Sequence, residues 1–304
     1  RDISLKSGQA IFQALVAQGC EVVALDIKST NPFDIKNLII QSQIDVAFIA
    51  LHGSLGEDGK IQSILADLKI PYTGSDADAS AKAFDKAVCQ KILKSQGICV
   101  AKSAVIENNP PVDLDSLWQE FGCCPVIVKP AREGSSIGLS LVKNFSQLLP
   151  GIEEAFRRDD KILIEKYIKG REVTVGILDD EALPVVEIIP AEGLFDFKAK
   201  YEKGKTRYVV PAPIPSSVTD QLQRIALKAF HCLGCRHLAR VDFMLDENLN
   251  PYLLEVNTIP GFTQTSLLPK AANVARLNFE KLCLKILNLA YAKTEEIKDS
   301  PCVL

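Results

Sequence analysis

Apolar residues recur at helical spacing over residues 4–18, where Leu5, Ile11, Phe12, Leu15 and Val16 can share one face and Gly19 supplies a stop. Two brief apolar runs of strand length follow, at 21–25 and 45–51, and this alternation predicts α/β organisation. A second helix is expected from Ala77 to the Gln96-Gly97 pair. Beyond it come a strand at 126–129, a Gly/Ser loop, a helix at 145–157 and a strand at 161–168. Strands at 172–178 and 183–189 precede a polar loop at 191–206. A helix at 218–233, two further strands and a last helix with Phe279, Leu282, Cys283 and Ile286 on one face complete the chain. A doubly wound domain usually opens with a strand that feeds its first helix. Here the chain starts at Arg1 and enters a helix at once, so an N-terminally incomplete sequence is expected.

Composition narrows the function classes. The 304 residues carry a formal charge of -3 and no basic run, which leaves no electrostatic footprint for nucleic acid. No apolar stretch approaches the roughly 20 residues that span a bilayer, and no signal-peptide pattern opens the chain. Nine scattered cysteines point to free thiols in a reducing compartment, hence a cytoplasmic protein. The Cys232-Leu-Gly-Cys235 pair has redox or zinc spacing, but it stands alone in an amphipathic helix and is read as structural. Cys302 is third from the end, where a prenylation box requires the fourth position.

The chemistry begins with two strand-like segments, LARVDFML and PYLLEVNTIPG. Strand side chains alternate, so Arg240 and Asp242 share a face, as do Glu255 and Asn257. A carboxylate on a covered face is costly without a partner. One cation and three oxygen-bearing side chains together suggest a bound metal beside an anionic ligand. The segment VIVKPAREGSSIG (126–138) puts Lys129 at a strand end before a small-residue loop whose N–H groups can approach an anion. By itself it is more simply read as a hairpin turn with a solvated lysine. GEDGK (56–60) lacks Walker A spacing. His52 closes an apolar run at the end where α/β folds place ligands, and both a structural and a binding role stay open.

Five segments in consistent order resemble the D-alanine–D-alanine ligase family of the ATP-grasp superfamily: HGSLGEDGKIQS (52–63), KPAREGSSIG (129–138), LIEKYIKGREVTV (163–175), KAKYEKGKT (198–206), and the stretch from Gly234 through ARVDFML to LLEVNTIPG. The resemblance covers essentially the whole chain. It implies a three-domain α/β ATP-grasp fold: a substrate-binding α/β domain at 1–76 lacking its first strand, a central ATP-grasp domain at 77–168, and a C-terminal ATP-grasp domain at 169–304 with the metal site and a lid loop. It further implies ATP-dependent joining of two D-alanines through an acyl phosphate, for peptidoglycan synthesis, by a homodimer.

Carried over residue by residue, the resemblance makes Asp242, Glu255 and Asn257 the ligands of two magnesium or manganese ions. Arg240 would stabilise the acyl phosphate and the tetrahedral intermediate, with the Gly261 N–H as an oxyanion donor. Lys86 and Lys129 match lysines on the ATP phosphates; Glu165, Lys166 and Ile168 match the adenine linker, and Glu172 the ribose contact. Lys200 and Tyr201 fall in the lid, with Tyr201 bonding Ser135 on closure and favouring D-alanine over D-lactate as second substrate. Ser266 and Leu267 match the site for the second carboxylate, and His52 lies near the substrates. The chain departs from the family pattern at its start, where a strand, a Gly-rich turn and an ammonium-binding glutamate are expected; Asp2 is not that glutamate. Two other readings compete: another ATP-grasp carboxylate–amine ligase, and a non-catalytic nucleotide-binding remnant.

Overall fold

The computed structural model describes residues 1–108, 110–191 and 205–298, with backbone alone from 292 on. The first helix, α1 (Asp2–Ala17), buries Ser7, Ile11, Ala14 and Leu15, whereas Leu5 and Val16 are exposed. The buried face is thus narrower than the apolar pattern suggests. The expected strand at 21–25 does not form, and the run at 45–51 contributes a single parallel bridge, Ala47 to Tyr72. A strand exists only where its backbone groups meet a ladder, and no such neighbour lies beside 21–25 among the described residues. Two helices unforeseen in the apolar pattern, α2 (Pro32–Gln41) and α3 (Lys60–Asp67), pack Ile35, Ile39, Ile61, Ile64 and Leu65 into one core with Ile49 and Tyr72. Asn31 caps α2 by accepting the Phe33 N–H at 2.9 Å. Gly59 opens α3 at φ 89°, and a Cβ there would lie 2.4 Å from the Ala77 carbonyl oxygen, so only glycine fits.

The helix expected from Ala77 is two helices, α4 (Ala77–Phe84) and α5 (Lys86–Ser95), separated at Asp85. Asp85 is extended and its carboxylate accepts the N–H groups of Ala87 and Val88, a capping arrangement that competes with a continuous helix. Lys161 adds a charge at 3.0 Å from Asp85, and the Lys86 N–H donates to the Ala131 carbonyl. The break therefore pins the start of α5 to the neighbouring sheet.

That sheet has four strands, β1 (Ser103–Glu107), β2 (Val126–Pro130), β3 (Ser140–Val142) and β4 (Lys161–Lys166), in the order β1-β4-β2-β3, all antiparallel. A short helix, α6 (Leu114–Glu120), is capped by Asp113. Val126, Val128, Ile162 and Ile164 pack beneath α7 (Leu148–Phe156). Alternation turns Ile127, Lys129 and Glu165 to the opposite face.

The larger antiparallel sheet runs β10-β9-β5-β7-β8, with β6 (Glu181–Ala182) paired to β5. Its strands are β5 (Arg171–Leu178), β7 (Val186–Pro190), β8 (Thr206–Val209), β9 (Leu238–Leu245) and β10 (Pro251–Asn257). Helix α8 (Ser216–Cys232) places Leu222, Ala226, Ala229 and Phe230 on one face of it, beside Ala83, Cys89 and Leu93 of α4 and α5. The other core joins α1 to α9 (Leu267–Val274) and α10 (Phe279–Lys298), with Leu282, Cys283 and Ile286 buried as the apolar pattern requires. Gly170 turns the chain from the small sheet to the large one so closely that a Cβ would sit 1.8 Å from the Leu245 carbonyl oxygen. A parallel bridge between Val100 and Leu253 ties the sheets together again.

Candidate active site

A cleft lies between the two sheets. Ile127, Lys129 and Glu165 form one wall; Glu172, Asp242, Met244, Leu254 and Glu255 form the other; Lys86 and loop residues Glu133 and Ser136 close an end. Lys166, Tyr167 and Ile168 line the crossing between β4 and β5. The mixed lining suits a polar ligand with an apolar part.

Register explains why the acidic groups meet. Asp242 opposes Glu255, and Arg240 opposes Asn257, in the β9–β10 ladder, with a shift in register between Leu253 and Glu255. Cross-strand partners share a face, so the four polar side chains project together. Thr174 on β5 opposes Asp242 from the other side and donates its hydroxyl to Oδ1 at 2.6 Å. Arg240 grips the same carboxylate through Nε and Nη2 at 2.8 and 2.6 Å. Burial works against the guanidinium charge, but Asp242, Glu255 and Glu172 more than offset it and hold Arg240 above the usual arginine range. The side chain is therefore a permanent cation. The Asn257 carboxamide accepts the Ile259 N–H at 3.0 Å, which orients its oxygen.

Two carboxylates and one amide oxygen on adjacent strands suit magnesium, which binds one or two carboxylates and takes its remaining oxygens from water and phosphate. The residues present fit that ion. Lys86 spans the closed end of the cleft: its Nζ donates to the Glu133 carbonyl at 2.6 Å and lies 3.6 Å from Glu255. Lys129 pairs with Glu165 at 2.7 Å. Ser135 and Ser136 both hold positive φ, 54° and 58°, in the loop beyond β2. Such backbone costs about 1–3 kcal/mol per residue and persists where surroundings impose it.

A second cluster lies at the N-terminal side. His52 Nδ1 meets the Ile259 carbonyl at 3.1 Å, and Nε2 meets Ser7 Oγ at 2.9 Å. Ser7 also accepts the Phe262 N–H at 3.3 Å, so α1 holds His52 against the segment that contains Gly261. Ser266 precedes α9, but its hydroxyl accepts the Thr263 N–H at 3.0 Å and makes no cap on that helix. The first-turn N–H groups at Leu267 and Leu268 thus receive no side-chain cap.

Family models for the D-ala D-ala ligase N-terminus and C-terminus match residues 28–75 and 92–288. The chain belongs to the D-alanine–D-alanine ligase family. It is 44% identical over 287 residues to the D-alanine–D-alanine ligase of Syntrophotalea carbinolica, covering 94% of this chain and 91% of that protein. The ligase of Halalkalibacterium halodurans is 42% identical, with 96% of each covered. The crystal structure of the Bacillus anthracis ligase superposes with a TM-score of 0.86 at 34% identity, over 97% of this chain and 95% of that one. The same protein complexed with ATP gives 0.83 at 31%, over 97% and 94%.

In this family member Lys129, Glu165, Glu172, Asp242 and Glu255 of the strand motifs line the cleft, and Arg240 joins it through Asp242. Lys200 and Tyr201 lie outside the described residues. Thr174 and Ser7 are residues that motif reading passed over, because each is a neutral side chain whose role depends on a partner remote in sequence. Thr174 alone left a trace, two positions from Glu172 on the same strand face. The cysteine pair is structural: Cys232 ends α8, Cys235 lies beyond the turn at Gly234, and burial pushes the Cys235 thiol up to about 11.

Proposed function

We propose that the cleft binds ATP with magnesium, or manganese, and that the enzyme catalyses ATP + 2 D-alanine → D-alanyl-D-alanine + ADP + phosphate for cell-wall synthesis. The observation that carries this reading is the convergence of Asp242, Glu255, Lys86 and Lys129 on one inter-sheet cleft, with Arg240 held against Asp242 behind it, in a chain of this family.

Asp242, Glu255 and Asn257 would hold the metal, which would supply positive charge to offset that of the phosphates. Lys86 and Lys129 bring ammonium groups to the phosphates. Glu165, Lys166 and Ile168 flank the adenine, and Glu172 takes the ribose. The carboxylate of the first D-alanine attacks the γ-phosphate and becomes an acyl phosphate. The amine of the second attacks that carbonyl, and phosphate leaves. Arg240 stabilises charge on the acyl phosphate and on the tetrahedral intermediate, with the Gly261 N–H as a further donor. His52 stands beside the first substrate, and the Ser266–Leu267 helix start receives the second carboxylate. Lys200 and Tyr201 would help keep water from the acyl phosphate. The enzyme acts as a cytoplasmic homodimer.

Phosphate release from ATP and magnesium, measured with and without D-alanine, tests the reading. Release that depends on D-alanine and yields the dipeptide is expected. ATP binding with no D-alanine-dependent turnover would favour the non-catalytic reading, and turnover on another amine would favour a different ATP-grasp ligase.

Thr174→Val preserves shape and removes the hydroxyl that orients Asp242. The expected outcome is about a tenfold higher magnesium concentration for half-maximal activity, the usual cost of losing an outer partner of a metal ligand. A magnesium titration unchanged from wild type would mean that Arg240 alone orients the carboxylate.

A further inference from the structure

The cleft wall that carries Glu165 contains a chain of polar side chains, buried at Gln90, Glu165 and Lys129 and reaching the surface at Ser103, in which Gln90 and Ser103 have no part in the reaction as described above. Ser103 and Glu165 are cross-strand partners in the β1–β4 ladder, and Gln90 reaches them from α5. The Ser103 hydroxyl lies 3.0 Å from Gln90 Oε1, Gln90 Nε2 donates to Glu165 Oε1, and Lys129 Nζ lies 2.7 Å from Glu165 Oε2. Gln90 and Glu165 are 5% and 4% exposed.

The direction of each bond follows from the chemistry. An amide oxygen can only accept, so Ser103 donates to it. That leaves the amide NH₂ facing Glu165; the flipped amide would set its oxygen against a carboxylate. Glu165 is therefore held at one oxygen by a neutral donor fixed to the scaffold and at the other by Lys129. Lys129 also faces the phosphate end of the cleft, so its hold on Glu165 competes with an anionic ligand. The hold of Gln90 does not, because a neutral amide gains little from a phosphate.

We infer that Gln90, oriented by Ser103, is the positioning residue for base selection, keeping Glu165 as a fixed acceptor that takes the exocyclic amine of adenine and rejects the O6 of guanine. This rests on the ATP reading of the cleft. A carboxylate has only acceptor sites to present. Adenine offers an N–H donor at its six-position and guanine an oxygen acceptor, so two acceptors would face each other in the guanine complex. A pocket built for a hydrogen bond discriminates strongly when its polar group meets the wrong partner.

The test uses the whole enzyme with ATP and GTP as alternative substrates. Wild type is expected to prefer ATP. Gln90→Met, which keeps length and apolar stem, is expected to raise the KM for ATP about tenfold or more and narrow the ATP-to-GTP ratio in kcat/KM by a similar factor. The kcat at saturating ATP and the KM for D-alanine should stay within about twofold, a split that general loss of packing would not give. Ser103→Ala leaves Gln90 in place but free to turn, and a narrowing of about threefold is expected. It decides the matter if the Gln90 variant does not fold. An ATP-to-GTP ratio unchanged in a folded Gln90→Met or in Ser103→Ala overturns the inference, as does a wild type that uses both nucleotides equally well. A wild type with no saturable dependence on ATP would instead overturn the reading of the cleft.

Discussion

Arg240→Gln is expected to lower kcat by about 10²–10³-fold, the usual cost of removing one pre-placed donor to a developing oxyanion. Two features favour the upper end. The guanidinium is held charged by Asp242, Glu255 and Glu172 despite burial, so the substitution removes a full cation from a mostly covered site. It also releases Asp242 from its bidentate partner and leaves only the Thr174 hydroxyl on that carboxylate among the contacts described above. Breaking one side of a buried ion pair costs about 3–5 kcal/mol, because the remaining charge is uncompensated. A divalent ion restores that compensation. The variant should therefore melt well below wild type without metal and recover more of its Tm when magnesium is added. Steady-state rates and thermal melts with and without magnesium check both halves. A kcat within threefold of wild type would remove Arg240 from the reaction, and equal metal-induced Tm shifts would separate Asp242 from the metal site.

Glu255→Gln should act mainly through the metal. Glu255 opposes Asp242 across the β9–β10 ladder, beyond the register shift that turns it into the cleft. Loss of an outer partner alone costs about 10–100-fold in metal affinity, so loss of a carboxylate ligand should cost at least about 100-fold. The same change weakens the ion pair with Lys86, 3.6 Å away, whose Nζ also holds the Glu133 carbonyl. Lys86→Met separates the two effects. It should raise the KM for ATP and leave the magnesium titration near wild type. Magnesium half-saturation of Glu255→Gln within threefold of wild type would exclude the residue as a ligand.

The elements legible in sequence were those whose burial repeats along the chain. The 145–157 helix appears as a short 3₁₀ turn and α7, and the last helix buries Leu282, Cys283 and Ile286 as its period requires. Failures cluster where local signals compete. Asp85 breaks one long helix into α4 and α5 because a carboxylate that can cap from within the chain makes a helix start. The 21–25 run has strand composition and no ladder, since composition supplies the side chains of a strand but not its neighbour.

By itself the sequence determined the chemistry on offer. The two-residue spacing of Arg240 with Asp242 and of Glu255 with Asn257 places each pair on one strand face by backbone geometry alone. The ordered motifs carried the family. What only the tertiary structure decided is who partners whom. Which residue of β9 opposes which residue of β10, that Thr174 reaches Asp242, that Gln90 and Ser103 hold Glu165, and that Ser7 joins His52 to the Phe262 backbone all depend on register and packing between segments up to 255 residues apart. Periodicity reports which side of an element is buried; only the assembled core selects the partner on that side.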